Sequence, residues 1–446
     1  MIKHTLLAKS DFINRRAAFI ASMADNSVAL FGAAKEVTRS NDTEFGFCQN
    51  KNFYYLTGFN EPDALLLLIK HNEQESQAIL FCRAKDPLEE VWHGRRIGPE
   101  KAVEQYSFDQ CFTLAEAEKL IPQYLCDKSQ LHYCHGVDAL FEQRILRWLS
   151  VVRSQMKLGK KTPTTIIDCT PVINELRLIK SDAELDIMRK VNVISGAAHQ
   201  RAMEKTSVGK FEYQIEAEIL HEFARNGARY AAYGSIVAGG DNANILHYTE
   251  NSDVLNNNEL LLIDAGGELA GYAADITRTF PVNGHFTDEQ KAIYQLVLDA
   301  QEIAINAIKP QATFAQLNKL TCDYLTKGLH ALGILSGELD TLLAENACKK
   351  YFIHGLGHWL GLDVHDVGDY QVDDKKQQHR AFEPGMVMTI EPGIYIPLTD
   401  ESVDAKWRGI GVRIEDNVLV TSQGHENLTV NAPKTIAEIE QLMADK

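Results

Sequence analysis

The chain has no closely spaced pair of cysteines. Its eight, Cys48, Cys82, Cys111, Cys126, Cys134, Cys169, Cys322 and Cys348, are scattered, and none forms a C-x-x-C pair. That spacing argues against a thiolate zinc site. A chain of this length needs no disulfides to hold a core, so reduced packing thiols in a cytoplasm are expected. Long apolar runs are missing too. The longest strongly apolar stretch, Ala64 to Ile69, is far too short to cross a bilayer, so no membrane partner is expected. The opening MIKHTLLAKSDFINRRAAFIASM lacks the unbroken apolar segment of a signal peptide, because Asp11, Asn14, Arg15 and Arg16 interrupt it. The two arginines read as the start of an amphipathic helix rather than as a twin-arginine signal. Basic residues are in deficit, 45 against 61 acidic ones, for a net charge of -16. Phosphate backbones need clustered Lys and Arg, so nucleic acid is disfavoured as a partner.

What is present suggests two domains over 446 residues of ordinary globular composition. In the first third, FYYLTGF, ALLLLIK and QAILFCRA read as strands, being short, apolar and bounded by turn residues. Phe112 to Leu125 and Ala139 to Val152 read as helices. The connector GKKTPTTIIDCTPVINELRLIK, with Pro163 and Pro171 and no helical period, predicts a boundary near residues 160 to 178. The domains are drawn as 1–172 and 173–446.

Beyond the connector, Ser181 and Glu184 form a capping box. Ile187, Val191, Ile194 and Ala198 then stripe one face of a helix. A second helix from about Phe211 carries Ile215, Ile219 and Phe223 and closes at Asn226-Gly227. YGSIVAG, ELLLIDA and GYAADITRTF read as strands. The same order recurs: a Thr287/Gln290 box, an apolar stripe from Ile293 to Ala304, a helix from Thr313 to Leu332, then YFIHGLGH, GMVMTIEPG and GIGVRIEDNVLV as strands. The expected fold class is α/β of the α+β kind, with a C-terminal domain built as helix-helix-strands twice.

Five residues in those strands carry chemistry: Asp264, Asp275, His358, Glu391 and Glu415. Alternation places Asp264 on one face with Leu260 and Leu262, Asp275 with Thr277 and Thr279, Glu391 with Val387 and Thr389, and Glu415 with Gly411 and Arg413. Gly266, Gly267 and Gly271 let the chain turn between the two aspartates, which suits a hairpin with facing carboxylates. Singly, each has an ordinary explanation: a turn aspartate, a strand-end glutamate, a Glu415–Arg413 pair, or core or surface histidines among His354, His358 and His365. Together, they place charge inside apolar strands where unpaired charge is costly. Four carboxylates and one imidazole suit two divalent cations, Mn(II), Co(II) or Fe(II), that activate one bridging water for hydrolysis. Such a cluster, left slightly negative by a bridging hydroxide, would accept a substrate ammonium nearby.

At these residues the chain resembles the metal-dependent pita-bread peptidases, the family of methionine aminopeptidase, prolidase and aminopeptidase P. The order Asp, Asp, His, Glu, Glu is that family's ligand order. The strings EVWHGRR, ELRLIKS, FEY, ILHYTEN, GYAADITRTFPVNG, HGLGHWLGLDVHDVG, EPGMVMTIEPGIYI and RGIGVRIED are closest to the bacterial aminopeptidase P group, and the likeness runs from about residue 45 to the C-terminus.

The resemblance implies a dinuclear aminopeptidase, with Mn(II) the first choice of metal, removing the N-terminal residue from peptides with proline second. A metal-bridging hydroxide would attack the scissile carbonyl. Asp275 and Glu415 would bridge both ions, Asp264 would lie near the substrate amine, and His358 and Glu391 would complete one metal's shell. Glu391 would also shuttle the proton, His365 would stabilise the oxyanion, His354 would help bind substrate, and His247 would sit beside the scissile bond on the proline side. Tyr395 and Arg413 would line the pocket, and Trp92 and Arg153 would reach a neighbouring subunit's site. His247, Tyr248, Trp92 and Tyr395 are the candidates for an apolar wall against proline. A creatinase-like N-terminal domain would shape the entrance and build contacts in a homo-oligomer, a dimer or tetramer. Prolidase shares the ligands but cuts only Xaa-Pro dipeptides; EVWHGRR and the lack of large insertions favour aminopeptidase P. Metal-free creatinase lacks this ligand set, and a non-catalytic binding protein on this fold would have lost ligands that are all retained here.

Overall fold

The computed structural model describes residues 6–373 and 378–444. The first five residues of the N-terminal stretch lie outside them. From Lys9 to Ser22 that stretch is a helix whose Arg15 and Arg16 are buried, their guanidinium groups donating to the carbonyls of Tyr55 and Leu56. The chain forms two compact units, Met1–Arg177 and Leu178–Lys446.

The first unit holds a mixed six-stranded sheet in the order Gln110–Thr113, Glu75–Cys82, Leu65–Asn72, Ser27–Gly32, Gln130–Tyr133, Thr165–Asp168. Leu65 to Ile69 is buried on both faces, as an unbroken apolar run in a central strand should be. Three expectations are corrected here. FYYLTGF is not a strand but the helix Lys51–Thr57. The Asn50 side chain accepts from the Phe53 amide at its start, and Gly58, at φ 64°, closes its end. An apolar run this short fits either state, and the caps decide. The helix expected from Phe112 begins at Leu114, because Phe112 and Thr113 complete a strand and Thr113 caps the helix with Glu116. The connector is not irregular: it supplies the edge strand Thr165–Asp168 and the helix Thr170–Leu178.

In the second unit the helices Asp182–Lys205 and Glu212–Arg225 precede one set of strands, and Asp288–Asn306 and Phe314–Ala331 precede another. The capping boxes at Ser181/Glu184 and Thr287/Gln290 both form. Asn226 ends its helix and Gly227, at φ 96°, turns the chain away. Ile236–Gly239, Leu260–Asp264 and Thr277–Pro281 make one antiparallel sheet. Val387–Ile390, Asp416–Thr421 and Gly424–Asn427 make another, and Gly393–Ile396 pairs with Ile410–Arg413. A bridge from Thr277 to Glu415 joins the two sets. Helix stripes and inward strand faces share one core, from Ile219 and Phe223 through Ile263 and Val297 to Met388 and Val412. YFIHGLGH is a further correction: it forms no strand and runs as a bend. GYAADITRTF breaks into Tyr272–Ala273 and Thr277–Pro281, leaving Asp275 in the irregular segment between.

Candidate active site

Asp264 ends its strand directly opposite Thr277. Asp275, two residues before that partner strand, is fixed by Asn417. The Asn417 side-chain oxygen accepts from the Asp275 amide at 2.9 Å, and its nitrogen donates to the Asp275 carbonyl. This needs the chain to fold tightly: a Cβ on Gly266 would lie 1.7 Å from the Ala274 carbonyl oxygen. The bend that carries His358 crosses the strand Val387–Ile390 just as closely. A Cβ on Gly357 would lie 1.9 Å from the Thr389 oxygen, and the Thr389 hydroxyl accepts from the His358 amide at 3.1 Å. Glu391 follows that strand, and Glu415 sits beside the bridge to Thr277, whose hydroxyl donates to it at 2.7 Å.

These side chains converge on one pocket of about 190 Å³. It is lined by His247, Asp264, Asp275, His354, His358, His365, Glu391, Arg413 and Glu415, with Leu246 and Gly355. Asp275, His358 and Glu415 offer ligand atoms within 4.8 Å of one another. His358 Nδ1 donates to the Trp359 carbonyl at 2.9 Å, which leaves Nε2 facing the carboxylates, 3.3 Å from Asp275 and 3.7 Å from Glu391. Backbone pinning of the far nitrogen is the usual way a ligating imidazole is oriented.

Without cations the cluster is over-supplied with negative charge. Burial, then the neighbouring carboxylates, raises the affinity of Asp275 and Glu415 for protons, Glu415 strongly. Burial also pushes Glu391 up to about 7, against the opposing charges of His358 and Arg413. Burial disfavours charge on His358, but the hydrogen bond and charge of Asp275, with Glu391 behind it, raise it to about 9. Buried carboxylates that repel one another, with one arginine and one imidazole against them, form the hard oxygen-rich set that divalent cations satisfy. The donor chemistry therefore fits metal.

A polar relay backs the cluster. Arg413 donates to Asp264 at 2.8 Å, to the Thr277 hydroxyl at 3.2 Å and to the Tyr395 hydroxyl at 3.0 Å. The Tyr395 hydroxyl in turn lies 2.7 Å from His354 Nε2, and His354 Nδ1 bonds the Gly355 carbonyl. Burial and then the Arg413 charge push His354 down to about 3, so it is a neutral ring. His365 packs edge-on to His358 with centroids 4.3 Å apart and is also lowered, by burial and then by the His358 charge.

Not every expected site residue reaches the pocket. Tyr395 is buried behind it and acts through its hydroxyl. Tyr248, expected in the apolar wall, turns inward to an apolar cluster with Ile236, Ala238, Leu262 and Tyr395. Its phenol found a buried carboxylate, Glu212, there. Trp92 and Arg153 are exposed residues of the first unit and are not among the lining residues. Sequence reasoning missed Tyr233, whose hydroxyl lies 2.6 Å from Asp264 and 2.5 Å from Asp275. It also missed Thr277, Thr389 and Asn417. None carries a spacing signal, because each is an ordinary turn or strand residue until the second half of the fold arrives.

Residues 186–422 match metallopeptidase family M24, and residues 12–133 match the aminopeptidase P N-terminal domain. The chain is 44% identical over 437 residues to an Xaa-Pro aminopeptidase of Escherichia coli and 46% identical over 437 residues to one of Haemophilus influenzae. Each alignment covers 98% of both chains. Among solved structures it resembles a zinc-substituted aminopeptidase P of Escherichia coli in complex with product. The TM-score is 0.96 at 44% identity, over 98% of this chain and 99% of that one. The C-terminal unit thus has the pita-bread fold, and membership of a metallopeptidase family implies a divalent metal, for which Asp275, His358 and Glu415 are a fitting group. The chain belongs to the Xaa-Pro aminopeptidases of metallopeptidase family M24.

Proposed function

We propose that the protein removes the N-terminal residue from peptides whose second residue is proline, using two divalent cations, with Mn(II) the first choice. The observation that carries this reading is the convergence of Asp264, Asp275, His358, Glu391 and Glu415 in a pocket also lined by His247, His354 and His365. The five would hold the cations. When bound, the cations supply an acidified water and polarise the scissile carbonyl.

An Xaa-Pro bond is a tertiary amide, so its nitrogen has no proton and must gain one as the bond breaks. Glu391, which lines the pocket beside His358, would take a proton from the attacking water and pass it to that nitrogen. The carbonyl–nitrogen bond then breaks to leave a free amino acid and a peptide beginning with proline. His365 would donate to the oxyanion of the tetrahedral stage. His354, neutral and held by Tyr395, would steady the substrate backbone. Asp264, anchored by Arg413, would receive the substrate ammonium. His247 would face the proline side.

We further propose a cytoplasmic homo-oligomer, with residues 1–172 forming its contacts and residues 173–446 the catalysis. Trp92 and Arg153 would serve a neighbouring copy. Two observations support this: all eight cysteines are free thiols, and Leu88, Val91 and Trp92 are about four-fifths exposed on one short helix. Elemental analysis of the Mn(II)-loaded protein tests the site. Two ions per chain are expected, with Asp275→Ala losing metal and both Asp275→Ala and Glu391→Ala losing at least about a thousand-fold in kcat with the fold intact. Normal turnover in either variant would sink the dinuclear reading.

A further inference from the structure

Glu212 opens the helix Glu212–Arg225 and is completely buried, yet it touches no residue of the metal cluster. Its carboxylate accepts four hydrogen bonds. Oε1 takes the Gly239 amide at 2.7 Å and the Asn242 side chain at 3.0 Å. Oε2 takes the Tyr248 hydroxyl at 2.8 Å and the Asp253 amide at 2.9 Å. All four donors lie in one stretch of chain, from the end of the strand Ile236–Gly239 to Asp253. Glu212 thus ties together both ends and the middle of a stretch that begins as the 3-10 helix Gly240–Asn244 and that Asn251 also pins to the strand Ile236–Gly239. Beyond Asn244 the stretch forms no helix or strand, so a buried acceptor of this kind helps set its shape.

The loop carries Leu246 and His247, the two residues by which this stretch lines the pocket. Tyr248 is drawn inward to Glu212 while its neighbour His247 stays exposed on the pocket side. Desolvation, and then the bond to Glu212, raises the Tyr248 phenol to about 12, so it remains a donor across the working pH range. The two adjacent side chains thus leave the chain on opposite sides, His247 to the pocket and Tyr248 to the apolar cluster.

We infer that Glu212 is a positioning residue for catalysis, acting through Tyr248 to hold His247 against the proline side of the substrate. The inference rests on the proposed role of His247. The aromatic ring beside His247 is therefore an anchor, and the specificity wall is the imidazole that it aims.

A double-mutant cycle on the metal-loaded enzyme tests this with an Xaa-Pro-Xaa peptide. Glu212→Gln and Tyr248→Phe are each expected to lower kcat/KM by about ten-fold, the worth of one lost hydrogen bond to a charged group. They should divide that loss between KM and kcat in the proportion that His247→Ala does, with metal content unchanged. In the His247→Ala background either change should then cost less than about two-fold, because the group it positions is gone. Multiplicative losses in the double variants, or unchanged kinetics in Tyr248→Phe, would overturn the role of Glu212. Tyr248→Phe removes one bond and no charge, so it remains informative where Glu212→Gln fails to fold. Unchanged kinetics in His247→Ala would instead overturn the reading of His247, and the inference with it.

Discussion

Asp264 and Asp275 share the hydroxyl of Tyr233, and Asp264 also takes Arg413, so the two aspartates begin with unequal neighbours. The sequence exposes the aspartates because charge inside apolar strands is conspicuous. It does not expose Tyr233, which reads as the first residue of the strand YGSIVAG until the two aspartates fold beside it. Tyr248 misled in the opposite sense: beside a pocket histidine it looks like wall, and burial of its ring with a hydrogen-bonded phenol makes it structure. Another buried group, His199, bonds the Ala265 carbonyl at 3.0 Å. Burial lowers it from 6.5 to about 4. The unfolded chain therefore binds this proton more readily than the folded one. Its contribution is fully present above about pH 6.5 and is lost as pH falls towards 4, by about 3 kcal/mol. Urea midpoints of metal-free protein across that window should fall more steeply for the native chain than for His199→Gln. Parallel slopes would refute the assignment.

At the level of elements, the site depends on close crossings that side chains would forbid. Gly266 lets the end of one strand touch the segment that carries Asp275, and Gly357 lets the His358 bend touch the Thr389 carbonyl. Gly266→Ala should push Asp275 away from Asn417 and lower kcat/KM by about a hundred-fold, the usual cost of an ångström-scale displacement of a catalytic group. Ser181→Ala, which removes half of a capping box far along the chain, should cost about 1 kcal/mol of stability and leave kcat/KM unaltered. Equal kinetics for Gly266→Ala and the native enzyme would mean that the crossing is not what places Asp275. Boxes such as Ser181/Glu184 and Thr287/Gln290 are legible because their chemistry is local. The helix Lys51–Thr57 and the strand Thr165–Asp168 are not. The first is an apolar run decided by its caps, and the second is recruited by pairing with Gln130–Tyr133, thirty-odd residues earlier.

Across the whole molecule, each unit has its own apolar core, one around the sheet strands Val28–Leu30 and Leu65–Ile69 and one around the paired helices and strands of the C-terminal unit. The repeat of helix, helix and strands was readable from order alone. What it accomplishes was not: each half supplies carboxylates from strand ends, and the bridge from Thr277 to Glu415 brings the halves together. On the proposed reading, this junction cuts the bond before a penultimate proline with bound metal. The most direct test is product analysis with Mn(II)-loaded enzyme and two substrates, an Xaa-Pro dipeptide and a longer Xaa-Pro-Xaa peptide, with and without chelator. Release of only the first residue from the longer peptide is expected, stopped by chelation and restored by Mn(II). Cleavage of the dipeptide alone, or cleavage that survives complete removal of metal, would contradict it.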